Sequence, residues 1–410
     1  MSRLVLRGAR VFDGTGAHPY AADVAVENGR FAEVGTAPAG DTVADVTGLT
    51  LLPGLINCHV HVVGCAPTLE ERLRTPFSYQ FYAALPILDH LLRSGFTTVR
   101  DLAGADAGLK LAVDRGIVRG PRLRIAIEAL SPTGGHIDAH LPSGLPAFEY
   151  YLPHPGRPHG VVDGPEEIRR LVRELIRGGA DCVKVCTTDG GTWPRKDHLP
   201  AHFRDDELAA VMEEARNAGL HVASHAHGAA GAANAARAGV DSIEHGTYLD
   251  QETVDLMAER GTWFVPTLVR TFGLLERDDV AEYVGAEKLE LARITADAHA
   301  ASFRMAVEAG VPIAMGTDMH GGEFLDELRH MNRLGLSPAQ TIVSATSAAA
   351  TLLRVSDEVG RIAAGLRADL VVLEGDPYDF TGWPGRIRAV LKDGELVHGT
   401  LDTTGQENDR

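Results

Sequence analysis

Short apolar runs alternate with helical patterns through the middle of this chain, and that alternation restricts the fold more than any other feature. The runs are LLPGLINCHVH from Leu51 to His61, FTTVRDLAG from Phe96, RLRIAIEA from Arg122, DCVKVC from Asp181, LHVASHA from Leu220, VDSIEHG from Val240, GTWFVPTL from Gly261 and VPIAMGTD from Val311. Each is short enough for a strand and apolar enough to be covered on both faces. The intervening pieces are helical. From Pro165 to Ile176, residues Ile168, Leu171, Val172, Leu175 and Ile176 recur at helical spacing, with Pro165 suiting the first turn and Gly178 as the stop. Asp205 and Asp206 open another helix, with Leu208, Val211 and Met212 on one face and Gly219 ending it. Strand and helix alternating in eight cycles predict an α/β parallel barrel, the (β/α)8 architecture, in which sites are built at the carboxyl ends of strands.

The two ends of the chain follow a different rule. Leu4, Leu6, Val24, Val26 and Phe31 alternate around the turn signal Asn28-Gly29, and ADLVVLEGD from Ala368 and RAVLKDGELV, turning at Asp393-Gly394, do the same near the carboxyl end. Two β-rich ends around a different middle predict one small domain built from both, with boundaries at 1–53 plus 359–410 and the barrel at 54–358. The stretch SPTGGHIDAHLPSGLPAFEYYLPHPGRPHGVVDG, 131–164, reads as a long loop over the barrel mouth, while 271–310 reads as largely helical packing and pocket wall.

Candidate ligands sit where those strands end. His59 and His61 are one residue apart on a strand, so their imidazoles share a side and can hold one cation. Lys184, His225, His245 and Asp318 occupy the same place in later strands. Lys184 lies between Val183 and Val185, where a charged ammonium is costly to bury. A carboxylate at Asp318 can both bind metal and accept a proton.

This ordered set, with the PGLIN lead-in and the segment HAHGAAGAANAARAGVDSIEHG, resembles the amidohydrolase superfamily, in particular its imidazolonepropionase-like branch with Xaa-Pro dipeptidases. The likeness covers nearly the whole chain. It implies a TIM barrel with a small β-sandwich domain formed by the terminal segments. It also implies two divalent metal ions, with zinc favoured by N and O ligands. By resemblance, His59, His61 and Asp318 hold one metal, His225 and His245 the other, and a carboxylated Lys184 bridges both. The implied chemistry is attack of a metal-bridging hydroxide on an amide carbonyl, with Asp318 carrying the proton to the leaving amine. His136, in TGGH, is the expected donor to the carbonyl oxygen.

The substrate implied is a dipeptide of the Xaa-Pro type or an N-acyl amino acid. His227, His136, Tyr248 and Arg270 are the expected substrate contacts, with Arg195 and Lys196 as further cations near strand ends. Members reading HAYTPRA on the fifth strand carry tyrosine and arginine for a substrate carboxylate; HAHGAAG has neither. Alternatives are a lactam, carbamate or xenobiotic-amide hydrolase, a mononuclear imidazolonepropionase or deaminase, and a non-catalytic scaffold. Against a deaminase, no acidic residue follows His225 until Asp241; against the scaffold, all six ligand positions are filled.

Composition narrows the partners. With 39 basic against 56 acidic residues, the net charge of -17 argues against nucleic acid or an anionic membrane as the main partner and says little about the small-molecule substrate that the resemblance implies. No apolar run approaches the roughly 20 residues of a membrane helix, and MSRLVLRGARVFDG lacks a secretory h-region, so a cytoplasmic enzyme is expected. Cys58, Cys65, Cys182 and Cys186 form no metal or redox spacing and read as small apolar filler. A homo-oligomer is compatible with the sequence.

Overall fold

Pro53-Gly54 divides the apolar run that carries His59 between two sheets. In a computed structural model of the chain, which describes residues 3–36, 38–63, 71, 74–138, 153–190, 200–276, 286–319, 322 and 324–405, the residues before Gly54 belong to one sheet and those after it open another. Strands β1 (Leu4–Val11), β2 (Tyr20–Glu27), β3 (Arg30–Gly35), β4 (Thr42–Asp45) and β5 (Leu49–Pro53) join four strands from the other end of the chain. Gly54 donates its N–H to the Asp369 carbonyl, and a Cβ there would lie 2.3 Å from Thr97 Oγ1, so only glycine makes this crossing.

The second body of strands is parallel. It contains β6 (Leu55–Val60), β7 (Phe96–Asp101) and β8 (Arg122–Ile125) in one sheet. A second sheet contains β9 (Ala129–Leu130), β10 (Cys182–Cys186), β11 (His221–Gly228), β12 (Ser242–Tyr248) and β13 (Trp263–Val265). Helices α1 (Tyr79–Arg93), α2 (Ala107–Asp114), α3 (Gly164–Arg177), α4 (Asp205–Asn217), α5 (Ala229–Ala238) and α6 (Gln251–Arg260) separate these strands. They are followed by α7 (Leu268–Leu275), α8 (Ala286–Glu308) and α9 (Asp326–Leu334). In α3 the buried side chains are Ile168, Leu171, Val172 and Leu175, as the helical spacing predicts. Gly178 caps α3, whereas α4 stops at Asn217, ahead of the Gly219 expected as its end.

Two of the predicted strands take a different form. The run from Arg122 to Ala129 breaks at Ile127, whose φ of 70° lies in the left-handed region; β8 pairs with β7 and β9 with β10. The run from Val311 to Asp318 is no regular strand. It touches its neighbours through single parallel bridges, Ile313 to Phe264 and Met319 to Val60, and through Cys58 N–H to the Met315 carbonyl. A stretch lying between β13 and β6 in this way needs few ladder bonds, because its glycine and aspartate approach β6 closely.

The terminal strands β14 (Leu370–Glu374), β15 (Ile387–Lys392), β16 (Glu395–Gly399) and β17 (Thr403–Gly405) complete a connected nine-stranded sheet, β5 lying between β1 and β14. Both hairpin turns are where the sequence places them: Asn28-Gly29 at φ 53° and 75°, and Asp393-Gly394 at φ 52° and 76°. Positive φ at two consecutive residues matches the twist of the flanking strands. The architecture is therefore mixed α/β with a separate sheet domain. Arg122 ties the two bodies together, reaching Asp369 at 3.0 Å and Asp393 at 2.9 Å. Among the described residues no helix is long and apolar enough to cross a membrane.

Candidate metal centre

β6 delivers His59 and the following residue but one, His61, toward the same point. His59 Nδ1 donates to Glu244 Oε2 at 2.8 Å and His61 Nδ1 to the Ala103 carbonyl at 2.9 Å, so both rings turn their Nε2 atoms inward. They meet Asp318, whose Oδ1 lies 3.2 Å from His61 Nε2 and 3.5 Å from His59 Nε2. The Asp318 and Thr317 N–H groups both bond the His59 carbonyl, stitching the loop to β6. Gly316 permits the approach: a Cβ there would stand 2.9 Å from His59 Cβ.

A second group forms beside the first. His225 and His227 on β11 and His245 on β12 bring ring nitrogens within 4.8 Å of one another, as His59, His61 and Asp318 do among themselves. The His59 and His245 ring centroids are 5.0 Å apart, so the two groups adjoin. Thr267 Oγ1 bonds His245 Nδ1 at 2.9 Å, and Thr247 Oγ1 bonds His227 Nδ1 at 2.8 Å. Lys184 lines the same cavity from β10, 3% exposed, and among the described residues its Nζ has no hydrogen-bond partner; the same holds for His225 Nε2. Buried polar atoms are ordinarily paired, and two orphans facing one cavity mark a place where something else must bind.

The electrostatics suit cations. Burial drives the His225 and His245 pKa values well below the usual range, so both imidazoles offer neutral lone pairs, and burial also lowers the pKa of Lys184. Burial, with Lys184 nearby, takes His59 down to about 4. Asp318 goes the other way from its surroundings: burial would raise it, but His61, His59 and Arg270 hold it well below the carboxylate range. Imidazole nitrogens, an amine and one carboxylate are donor types that divalent metals take, and the residues fit such a site. His245, Thr267 and Asp318 all have positive φ (72°, 53° and 53°), an uncommon conformation for non-glycine residues that collects at functional sites.

The cavity holds about 880 Å³ of free space, its open mouth included. Ala103, Ala129 and Ile137, which pack together, and Leu102 are apolar residues of its lining. His136 stacks on His225 at 4.0 Å between ring centroids, and Gly190 packs so closely that a Cβ would stand 1.9 Å from His136 Cε1. Arg270 reaches Asp318 Oδ2 at 3.6 Å from a half-exposed side chain. The Tyr248 hydroxyl pairs with Thr295 Oγ1 at 3.1 Å, and Tyr248 is not among the described cavity-lining residues. Arg195, Lys196, His140 and Cys65 lie outside the described residues.

Sequence reasoning overlooked the groups behind the ligands. Glu244 is fully buried, accepting from His59, from Arg100 Nη2 at 2.8 Å and from Ser242 Oγ at 2.5 Å. Its signal was the one that singled out Lys184, a charged residue inside an apolar strand. Arg100 in FTTVRD and Glu244 in DSIEHG carry it equally. Thr267 and His299 had no such mark.

Comparison with known proteins agrees with this geometry. The amidohydrolase family model matches residues 50–398. An ochratoxinase of Aspergillus niger is 33% identical over 370 residues, covering 85% of this chain and 76% of that protein. A prolidase solved with N-methylphosphonate-L-proline superposes with a TM-score of 0.87 at 32% identity, covering 97% of this chain and 100% of the other. A Xaa-Pro dipeptidase with methionine in its active site gives 0.85 at 31% identity, again over 97% and 100%. With ligand-type side chains gathered in one cavity and a family match over most of its length, the chain belongs to the amidohydrolase family, as a metal-dependent hydrolase acting on amide bonds.

Proposed function

We propose that this protein cleaves the amide bond of a dipeptide of the Xaa-Pro type or of an N-acyl amino acid, using two divalent cations bound at the paired groups. The observation that carries the reading is the buried Nζ of Lys184, without a hydrogen-bond partner among the described residues, in the cavity that also contains both groups. A neutral amine there can add carbon dioxide, losing one proton and becoming a carbamate anion whose two oxygens suit a bridging ligand. His59, His61 and Asp318 would hold one cation and His225 and His245 the other, with zinc favoured by the donors. Such cations, when bound, supply a water of lowered pKa and polarise the scissile carbonyl.

The remaining steps fall to side chains. Asp318, kept anionic, takes the proton of the attacking water on a carboxylate oxygen and passes it to the leaving nitrogen. His136, stacked against His225, donates to the carbonyl oxygen as charge develops there. His227 and Arg270 are the groups we assign to the substrate's far end. Leu102, Ala103, Ala129 and Ile137 exclude water from the acyl side. In this reading both parallel sheets and the stretch 311–319 form a single closed (β/α)8 barrel over residues 54–358, supported by the bridges at Ile313 and Met319. The terminal segments 1–53 and 359–410 form the accompanying domain.

The ochratoxinase relative favours a second reading, a xenobiotic amide as substrate. One panel tests both: zinc-loaded protein with dipeptides, N-acyl amino acids and ochratoxin, alongside metal analysis. About two equivalents of metal per chain and turnover of Xaa-Pro or N-acyl substrates support the proposal. Turnover confined to ochratoxin selects the second reading. Fewer than two equivalents, or silence throughout, defeats both.

A further inference from the structure

The ladder between β12 and β13 ends at Glu244, which is level with Val265. Beyond it β12 continues with no described strand on that side, and His245 is its first residue there. Its hydrogen bonds there go instead to one face of α8. His299 Nε2 donates to the His245 carbonyl at 2.8 Å, while its Nδ1 accepts from Thr271 Oγ1 at 2.9 Å. Ser302 Oγ donates to the Thr247 carbonyl at 3.0 Å and accepts the Leu249 N–H at 3.0 Å. Thr295 meets the Tyr248 hydroxyl at 3.1 Å. Residues 295, 299 and 302 are four and three apart, one face of a helix, so a single rigid element grips three successive points of the strand end.

We infer that this face of α8, Thr295, His299 and Ser302, positions the end of β12, holding His245 in its ligand conformation and, through Thr247, setting the ring of His227. His299 is 0% exposed and Ser302 1%, so neither bond competes with bulk water. The need for such a grip is local. His245 has a φ of 72°, a conformation L side chains adopt reluctantly, and although Ala226 of β11 stays in register with it, the β13 ladder has ended on its other side. His299 satisfies the carbonyl in that geometry; without it the residue relaxes toward ordinary β backbone, carrying the imidazole out of line. Ser302 then fixes Thr247, whose hydroxyl bonds His227 Nδ1. The helix that the sequence assigns to packing and pocket wall thus sets the position of one proposed ligand and one proposed substrate contact.

This inference rests on the metal reading of His245, and the test separates the two. Zinc-loaded wild type, His299→Leu, His299→Gln and Ser302→Ala are titrated with a competing chelator, each metal equivalent being followed by metal analysis. The unfolding midpoint of each metal-free protein is recorded alongside. Loss of an outer partner of a ligand typically weakens metal binding about 10–100-fold. His299→Leu should release one equivalent that much more readily while the other is retained as in wild type. His299→Gln, whose Nε2 can still donate to the His245 carbonyl, should keep both. Ser302→Ala should raise KM with kcat nearly unchanged. Equal retention in His299→Leu and wild type overturns the inference, as does parallel loss of both equivalents with a fallen metal-free midpoint, the mark of a merely structural residue. If His299→Leu does not fold, weak retention by folded His299→Gln or an unchanged KM in Ser302→Ala overturns it equally. Fewer than two equivalents in wild type would instead defeat the metal reading itself.

Discussion

Truncating Glu244 to alanine should separate the stability of the centre from its metal affinity. Its carboxylate is 0% exposed and is shared between Arg100, also 0% exposed, and His59 Nδ1. Burial alone would raise its pKa, but Arg100 and His59 outweigh that and take it from 4.5 to about 2. A displacement of that size corresponds to ~3 kcal/mol of favourable interaction with the charged form. The variant strands the Arg100 guanidinium in an apolar interior, a change that costs about 3–5 kcal/mol. At ~2.1 cal/mol/K per residue the unfolding midpoint of the metal-free protein should fall by roughly 3–6 °C. A Glu244→Leu/Arg100→Met double variant removes both charges and should recover most of that loss. Metal affinity should not recover. His59 has lost the acceptor that fixes its Nε2 toward the cavity, so one equivalent should bind about 10–100-fold more weakly in both variants. Calorimetry of metal-free protein and chelator titration of loaded protein measure the two effects. A single variant within about 1 kcal/mol of wild type by the same criterion, or a double variant no more stable than the single, would refute the reasoning.

Three further outcomes are expected. Asp318→Asn should keep the fold and lose about 10²–10⁴-fold in kcat/KM, as removal of a proton carrier does, measured with the best substrate of the panel. Gly190→Ala places a methyl group where His136 lies, so it should reproduce the kcat/KM loss of His136→Asn, about 10²–10³-fold for a lost oxyanion donor, with little change in melting midpoint. Burial pushes the Glu327 carboxyl up to about 8, against the backbone N–H donors of Val269 and Leu268. A folded-state pKa above the unfolded 4.5 means its stabilising effect is fully present below about 4.5 and is lost as pH rises toward about 8. Glu327→Gln should remove that slope; equal slopes in wild type and variant between pH 5 and 8, in urea midpoints, would contradict it.

Most of the fold could be read from the chain because its signals are local. Periodicity located α3 and the strands carrying His59, Lys184, His225 and His245, and the Asn28-Gly29 and Asp393-Gly394 turns located both hairpins. The break at Ile127 and the irregular stretch before Asp318 were not legible. Both depend on how neighbouring strands end, and Ile127 is a β-branched residue at positive φ that no propensity would place there. The ligand-type residues were visible since each ends an apolar run. What lies behind them was not, apart from charges in apolar strands: Glu244 meets Arg100 across 144 positions of sequence, and His299 meets His245 across 54.

By itself the sequence determined which side chains could reach a common cavity, because strand ends in an α/β fold face one way and the residues at them are fixed by pattern. Only the tertiary structure decided which nitrogen each imidazole turns inward. That choice is made by Glu244, Ala103 and Thr267, hydrogen-bond partners from elements distant in the chain. Tautomer and ring orientation are properties of a contact, and a contact exists only once the chain has closed on itself.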